Sequence, residues 1–145
     1  MWTTILLVIA ALILVAMGIY TIYLLAQLRK QKQLFEQAKQ ARIIRLKESI
    51  EIIARAMHCG ECNHSEGVLR LRMLLEPLGQ KRLNDYPAMW ALYDVIKEMP
   101  THDERKNLKK NVRMKLDLER ESKEVELEDQ IKAETLLLLE DIKIC

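Results

Sequence analysis

The sequence predicts an all-α protein: one N-terminal transmembrane helix continuing into a cytoplasmic helical bundle that ends in a long C-terminal antiparallel helix. Three observations predict it. No Asp, Glu, Lys or Arg occurs from Trp2 to Leu28. Beyond that run the chain is rich in Leu, Ile, Lys, Glu, Arg and Gln, and the whole of its 145 residues holds only four Gly, three Pro and one Phe, a composition of helix formers with little material for a sheet. Apolar residues also recur every three or four positions, while strand-type alternation is absent. The expected division is a transmembrane helix over 1–28 and a helical domain over 29–145, with room for one modest core and no second catalytic domain.

Taken in order, Ile5 to Ala26 is apolar apart from Thr21 and the hydroxyls of Tyr20 and Tyr23. As a helix it measures about 33 Å, against a hydrocarbon core of about 30 Å. Thr21 can bond back to a carbonyl of its own helix, and Trp2, Tyr20 and Tyr23 sit near the depths of the interfacial aromatic belts. A cleaved signal peptide would want a basic start, a shorter apolar run and a small-x-small cleavage site, whereas no basic side chain precedes the run and no Ala-x-Ala pattern follows it. After the span come Arg29, Lys30, Lys32, Lys39, Arg42, Arg45 and Lys47, opposed by Glu36 alone. The positive-inside rule then places the N-terminus in the periplasm and the rest in the cytoplasm, across a bacterial inner membrane.

With no Gly or Pro between Gln27 and His58, the membrane helix is expected to run on. Ile43, Leu46, Ile50, Ile53 and Met57 give it one apolar seam. Asn63 with Glu66 reads as an N-cap and capping-box partner for a helix from His64 to about Glu76, closed by Pro77 and Gly79. Val68, Leu71, Leu74, Leu75 and Leu78 form its buried side, and Glu66 with Arg70 is an i,i+4 pair in the favourable order. Gly67 inside this helix costs up to about 1 kcal/mol relative to Ala, so it predicts the close approach of another helix, that bearing Arg55. Arg55 and Arg70 are expected to pair with carboxylates at the junction of the two helices. Gln80 to Asp85 reads as a polar connector. Pro87 suits the first position of a helix to Glu98, with Trp90 as its core anchor.

Met99-Pro100 stops that helix, and Thr101 with Glu104 reads as a second capping box opening an unbroken final helix of about forty residues, roughly 60 Å. Its charge is divided. Asp103 to Leu116 holds six basic and two acidic residues, Asp117 to Asp141 ten acidic and three basic. An antiparallel return would set the acidic half beside the basic stretch Arg29 to Lys47 and bring Leu136 to Leu139 and Ile142 to the bilayer surface. Each exposed pair contributes only about 0.3 to 0.5 kcal/mol, so such pairing selects orientation more than it stabilises.

Ile53-Ala54-Arg55-Ala56-Met57, Asn63-His64-Ser65-Glu66-Gly67 with Arg70, Leu74-Leu75, Tyr86-Pro87-Ala88, Leu92-Tyr93 and Met99-Pro100-Thr101-His102 together resemble a proteobacterial family of single-pass membrane proteins known as a domain of unknown function. The likeness covers nearly the whole chain, and the Ser-Glu-Gly-x-x-Arg and Met-Pro-Thr-His words are its most specific parts. It implies one N-terminal membrane helix followed by a helical cytoplasmic region. It implies no reaction, ligand or catalytic residue.

His58-Cys59-Gly60-Glu61-Cys62-Asn63-His64 is the segment that invites chemistry. Cys-x-x-Cys spacing lets two thiolates grip one tetrahedral ion, so Cys59, Cys62 and His64 are candidate metal ligands, completed by His102 or Cys145 from elsewhere. The same dithiol near a helix N-terminus could act in redox sensing. As plain structure, the loop is a turn whose thiols pack as small apolar groups. Ser65, Glu66, Arg55, Arg70 and His102 are accounted for by capping and pairing. No phosphate-cradling Gly-rich loop, Ser-x-x-Lys, His-Glu-x-x-His or aromatic-studded basic surface for nucleic acid occurs. The expectation is a membrane-anchored interaction or scaffold protein without catalytic activity or cofactor. It would engage a protein partner or a second copy of itself through surfaces including Arg55, Glu66, Gly67, Arg70 and Trp90. The alternative is a metal- or redox-responsive regulator using the Cys59/Cys62 loop.

Overall fold

A computed structural model describes residues 1–144. Among them the ordered elements are helical: α1 (Trp2–Cys59), α2 (His64–Leu78), a 3-10 turn (Leu83–Asp85), α3 (Pro87–Ile96), α4 (His102–Lys106) and α5 (Lys110–Ile144), with no strand. The chain divides into two packing units, Met1–Arg42 and the residues from Ile43 onward. This division reports packing, a different quantity from the lipid boundary expected near residue 28.

The first unit is a stretch of α1 whose side chains are all exposed. Thr21 Oγ1 donates to the Met17 carbonyl at 2.7 Å, which satisfies its hydroxyl within the helix as expected. α1 is long and apolar enough to cross a membrane.

In the second unit the last turns of α1 bury Ile50, Ala54 and Met57, flanked by half-buried Ile43, Leu46 and Ile53, so the seam read from spacing is the buried face. α1 closes where the N–H groups of Glu61 and Cys62 both reach the Ala56 carbonyl, at 2.9 and 3.2 Å, with Gly60 at φ +77°, a conformation glycine adopts without a Cβ clash. α2 opens with the Asn63 side chain accepting from Ser65 N–H at 2.9 Å. Only half of the expected capping box forms, because the Glu66 carboxylate turns outward to Arg70. α2 runs two residues past Glu76 to Leu78 before Gly79, at φ +73°, ends it by donating to the Leu75 carbonyl.

Gly67 does mark a close approach. A Cβ added there would overlap Met57 Sδ and lie 2.6 Å from Met57 Cγ. The neighbour is α1, but through the side chain of Met57 rather than backbone. Arg55 pairs with Glu51 of its own helix at 2.5 Å, and Arg70 with Glu66 of its own. Neither guanidinium bridges the helix junction as expected, since an i,i+4 partner is already within reach.

The connector after Gly79 is more structured than its polarity suggests. Leu83 is buried, and the Asp85 carboxylate accepts from Arg82 N–H at 3.0 Å. Pro87 takes the first position of α3 as expected. Its N-terminus is capped from a distance: Glu134 of α5 accepts from Ala88 N–H at 2.7 Å and Met89 N–H at 2.9 Å, two charge-assisted bonds at a helix end. α3 buries Ala88, Met89, Leu92 and Ile96. Trp90 is not the core anchor. It lies 37% exposed, because the helical turn of about 100° per residue that points Met89 inward swings its successor off the buried stripe.

The final forty residues are not one helix. The chain leaves helical geometry at 107–109 between α4 and α5, and Thr101 makes no side-chain cap. Arg105 Nη2 reaches both carboxylate oxygens of Asp117 at 2.7 Å. In a straight helix, twelve residues span about 18 Å, too far for that pair. α5 buries Leu127, Ile131, Thr135, Leu138 and Ile142, spaced four, four, three and four. Leu138 and Ile142 therefore pack in the bundle core. Acidic residues of α5 also find partners within this unit: Ser65 donates to Glu124, Glu134 caps α3, and Asp141 accepts from Tyr86 Oη at 2.7 Å and lies 3.7 Å from Lys81. Contacts at Ser65 and then Lys81 mean that α5 runs alongside α2 in the same direction.

Candidate functional site

The second unit holds a cleft of about 230 Å³ lined from α2, the end of α3, α4 and the first half of α5. Its apolar wall is Leu69, Ile96, Met99 and Leu116, with Pro100 at the edge. The polar wall is Asn63, Ser65 and Glu66 at the start of α2, Thr101, and then Arg105, Arg113, Asp117 and Arg120.

Local chemistry sets each group. Ser65 is buried in the first turn of α2, where its hydroxyl donates to Glu124. After Thr101, extended at φ −120° and ψ 160°, His102 adopts φ +46°, a left-handed conformation that costs a non-glycine residue on the order of 1 kcal/mol. That reversal starts α4, whose Arg105 donates from Nη2 to both carboxylate oxygens of Asp117. Arg113 and Arg120 are seven residues apart, two turns of α5, and so share one face. Arg120 Nε stands 3.9 Å from Glu124 Oε1, near enough for attraction and too far for a hydrogen bond. The Nε atoms of Arg113 and Arg120 are both enclosed and without a hydrogen-bond partner.

Further along α5, Lys132 hydrogen-bonds Glu128 at 2.8 Å. That bond, and then the ammonium charge, hold the Glu128 carboxyl below its ordinary range, with a smaller contribution from His64. The same bond raises Lys132.

The Ser-Glu-Gly-x-x-Arg and Met-Pro-Thr-His words, some thirty residues apart in the chain, both contribute to this cleft, through Ser65 and Glu66 and through Met99, Pro100 and Thr101. Residues 14–138 match the family model described as "Protein of unknown function (DUF2489)". The chain belongs to the DUF2489 family. An uncharacterized protein of Haemophilus influenzae is 59% identical over 136 residues, which cover 94% of this chain and 92% of that one. No solved structure matches the chain significantly.

In this DUF2489 protein the Cys-x-x-Cys loop does not assemble the expected ligand set. Cys59 is exposed and Cys62 half-buried, both as free thiols, and Cys62 Sγ lies 3.5 Å from the Asn63 carbonyl. Nδ1 of His58 and of His64 are each enclosed without a partner, yet among the described residues no three His, Cys, Asp or Glu side chains converge as a metal site. Cys145, one candidate to complete it, lies outside the described residues. His102 sits at the start of α4. α1 ends at Cys59, and Cys62 belongs to the following turn.

A second surface gathers aromatic and basic groups. Trp90 stacks at a tilt on Tyr93, centroids 5.3 Å apart, and Arg72 Cζ stands 5.6 Å from the Tyr93 ring centroid. Arg72 also pairs with Glu76 at 2.7 Å, and this hydrogen bond raises its already high pKa. Sequence reasoning singled out Trp90 on this surface and Glu66 in the cleft as interaction residues, but not Arg72 and Tyr93 here or Arg105, Arg113, Asp117 and Arg120 there. Nothing local signalled the turn at 107–109 that folds Arg105 back against Asp117.

Proposed function

We propose that this DUF2489 protein is a non-catalytic interaction protein anchored in the bacterial inner membrane by one pass of the first part of α1, with its bundle in the cytoplasm. The observation that carries the reading is the complete exposure of the uncharged apolar run from Trp2 to Leu28. Apolar surface on that scale is unfavourable in water at about 25 cal/mol per Å² and calls for a hydrocarbon solvent. The seven basic residues that follow between Arg29 and Lys47 support the cytoplasmic side for the bundle. Trp90, 37% exposed, with half-buried Tyr93 and Arg72 beside it, supports a partner-binding role, since Trp, Tyr and Arg are the side chains that most often anchor protein interfaces.

The test is photo-crosslinking in intact cells from a reactive amino acid at position 90, followed by gentle detergent extraction. A discrete adduct is expected, either with one partner protein or at twice the mass of this chain. Recovery of bulk membrane proteins alone would count against the interaction role. A reporter fused after Cys145 should be active only in the cytoplasm, and periplasmic activity overturns the orientation.

A further inference from the structure

We infer that the cleft between the start of α2 and the first half of α5 is a binding site for a small organic phosphate, its anion held by Arg113 and Arg120 and its apolar body by Leu69, Ile96, Met99 and Leu116. The inference is independent of the membrane reading, because every lining residue lies in the second unit.

Charge accounting separates the arginines of the cleft. Arg105 is neutralised by its ion pair with Asp117, and Glu66, the other acidic lining residue, is neutralised by Arg70. Arg113 makes no ion pair or hydrogen bond among the described residues, and Arg120 has only the distant Glu124, whose carboxylate already accepts from Ser65. Two guanidiniums are thus left with enclosed, unsatisfied donors, a state that costs free energy unless an acceptor arrives. Both belong to one face of α5 and one cavity wall. A phosphate monoester has three terminal oxygens and close to two negative charges, so it can accept from two guanidiniums at once, where a single carboxylate is matched by one.

The opposite wall sets what the phosphate is attached to. Its apolar side chains gain nothing from inorganic phosphate but remove hydrocarbon or an aromatic ring from water. The cavity, about 230 Å³, falls below the roughly 300 to 1,000 Å³ of sites for drug-sized ligands. It admits a body about as large as a phenyl ring.

Phenyl phosphate and inorganic phosphate are the probes, titrated calorimetrically into full-length protein in an uncharged detergent. Phenyl phosphate should bind saturably at one site, at least tenfold more tightly than inorganic phosphate, and Arg113→Gln or Arg120→Gln should weaken it tenfold or more. Lys109→Gln, a cation outside the cleft, should leave it unchanged. Saturable binding that survives both arginine substitutions, equal affinity for the two phosphates, or no heat with either at millimolar concentration overturns the assignment. Should the variants misfold, the wild type still decides: phenyl phosphate must protect Arg113 and Arg120 from phenylglyoxal, read by peptide mass. Unchanged modification rates refute the site.

Discussion

Gly67 shows how one residue couples two helices. In an isolated helix, Gly→Ala gains about 1 kcal/mol. Here the new methyl would meet Met57 Sδ and Cγ, in a core where Met57 is fully buried. Gly67→Ala should therefore destabilise the protein by about 1 to 3 kcal/mol, the usual cost of overpacking. Met57→Ala alone should cost about 2 to 5 kcal/mol through the cavity it leaves. In that background, adding Gly67→Ala should become neutral or favourable, since the methyl then fills space. A double-mutant cycle in denaturant unfolding measures this coupling, and simple additivity would show that Met57 is not what Gly67 accommodates. The glycine was legible in the sequence as a close approach of α1, but the contacting side chain, Met57, was not, because Met57 and Arg55 lie within one turn of that helix.

Among the elements, α5 is the least legible in the sequence and the most consequential. Four consecutive leucines, Leu136 to Leu139, offer no local clue to which one is inside. The bundle buries Leu138 completely and leaves Leu137 54% exposed. Leu138→Ala should lower stability by about 2 to 5 kcal/mol, and Leu137→Ala by no more than about 0.5 kcal/mol. Thermal unfolding followed by circular dichroism distinguishes them; a reversed order would mean that α5 sits in a different register. The interruption at 107–109 was invisible for a related reason. No Gly or Pro marks it, and what holds α4 back over α5 is the Arg105–Asp117 pair, a contact between positions that helical periodicity places far apart.

At the scale of the whole molecule, every buried hydrophobic residue among the described residues falls between Ile50 and Ile142, and the first unit contributes none. A fragment beginning at Ile43 should therefore fold on its own, with a cooperative thermal transition and near-ultraviolet dichroism from its buried Tyr86. A gradual, non-cooperative melt would show that the apolar run before Arg42 is needed for the core. The acidic half of α5 likewise serves this unit. Glu134 at the head of α3 and Asp141 at Tyr86 and Lys81 place two of its charges within the bundle, a more specific use than attraction to the basic stretch after residue 28.

Local rules were enough for an apolar first stretch of α1, a buried seam through Ile50 and Met57, a start to α2 at Asn63 and a start to α3 at Pro87. Hydropathy, 3.6-residue spacing and cap chemistry act between neighbours in the chain, so neighbours reveal them. The cap that Glu134 places on α3, the exposure of Trp90, the break before α5 and the meeting of Arg113 and Arg120 with Ser65 depend on contacts across tens of residues. Those follow from which faces pack together, and a linear pattern of charges and leucines is compatible with many such packings.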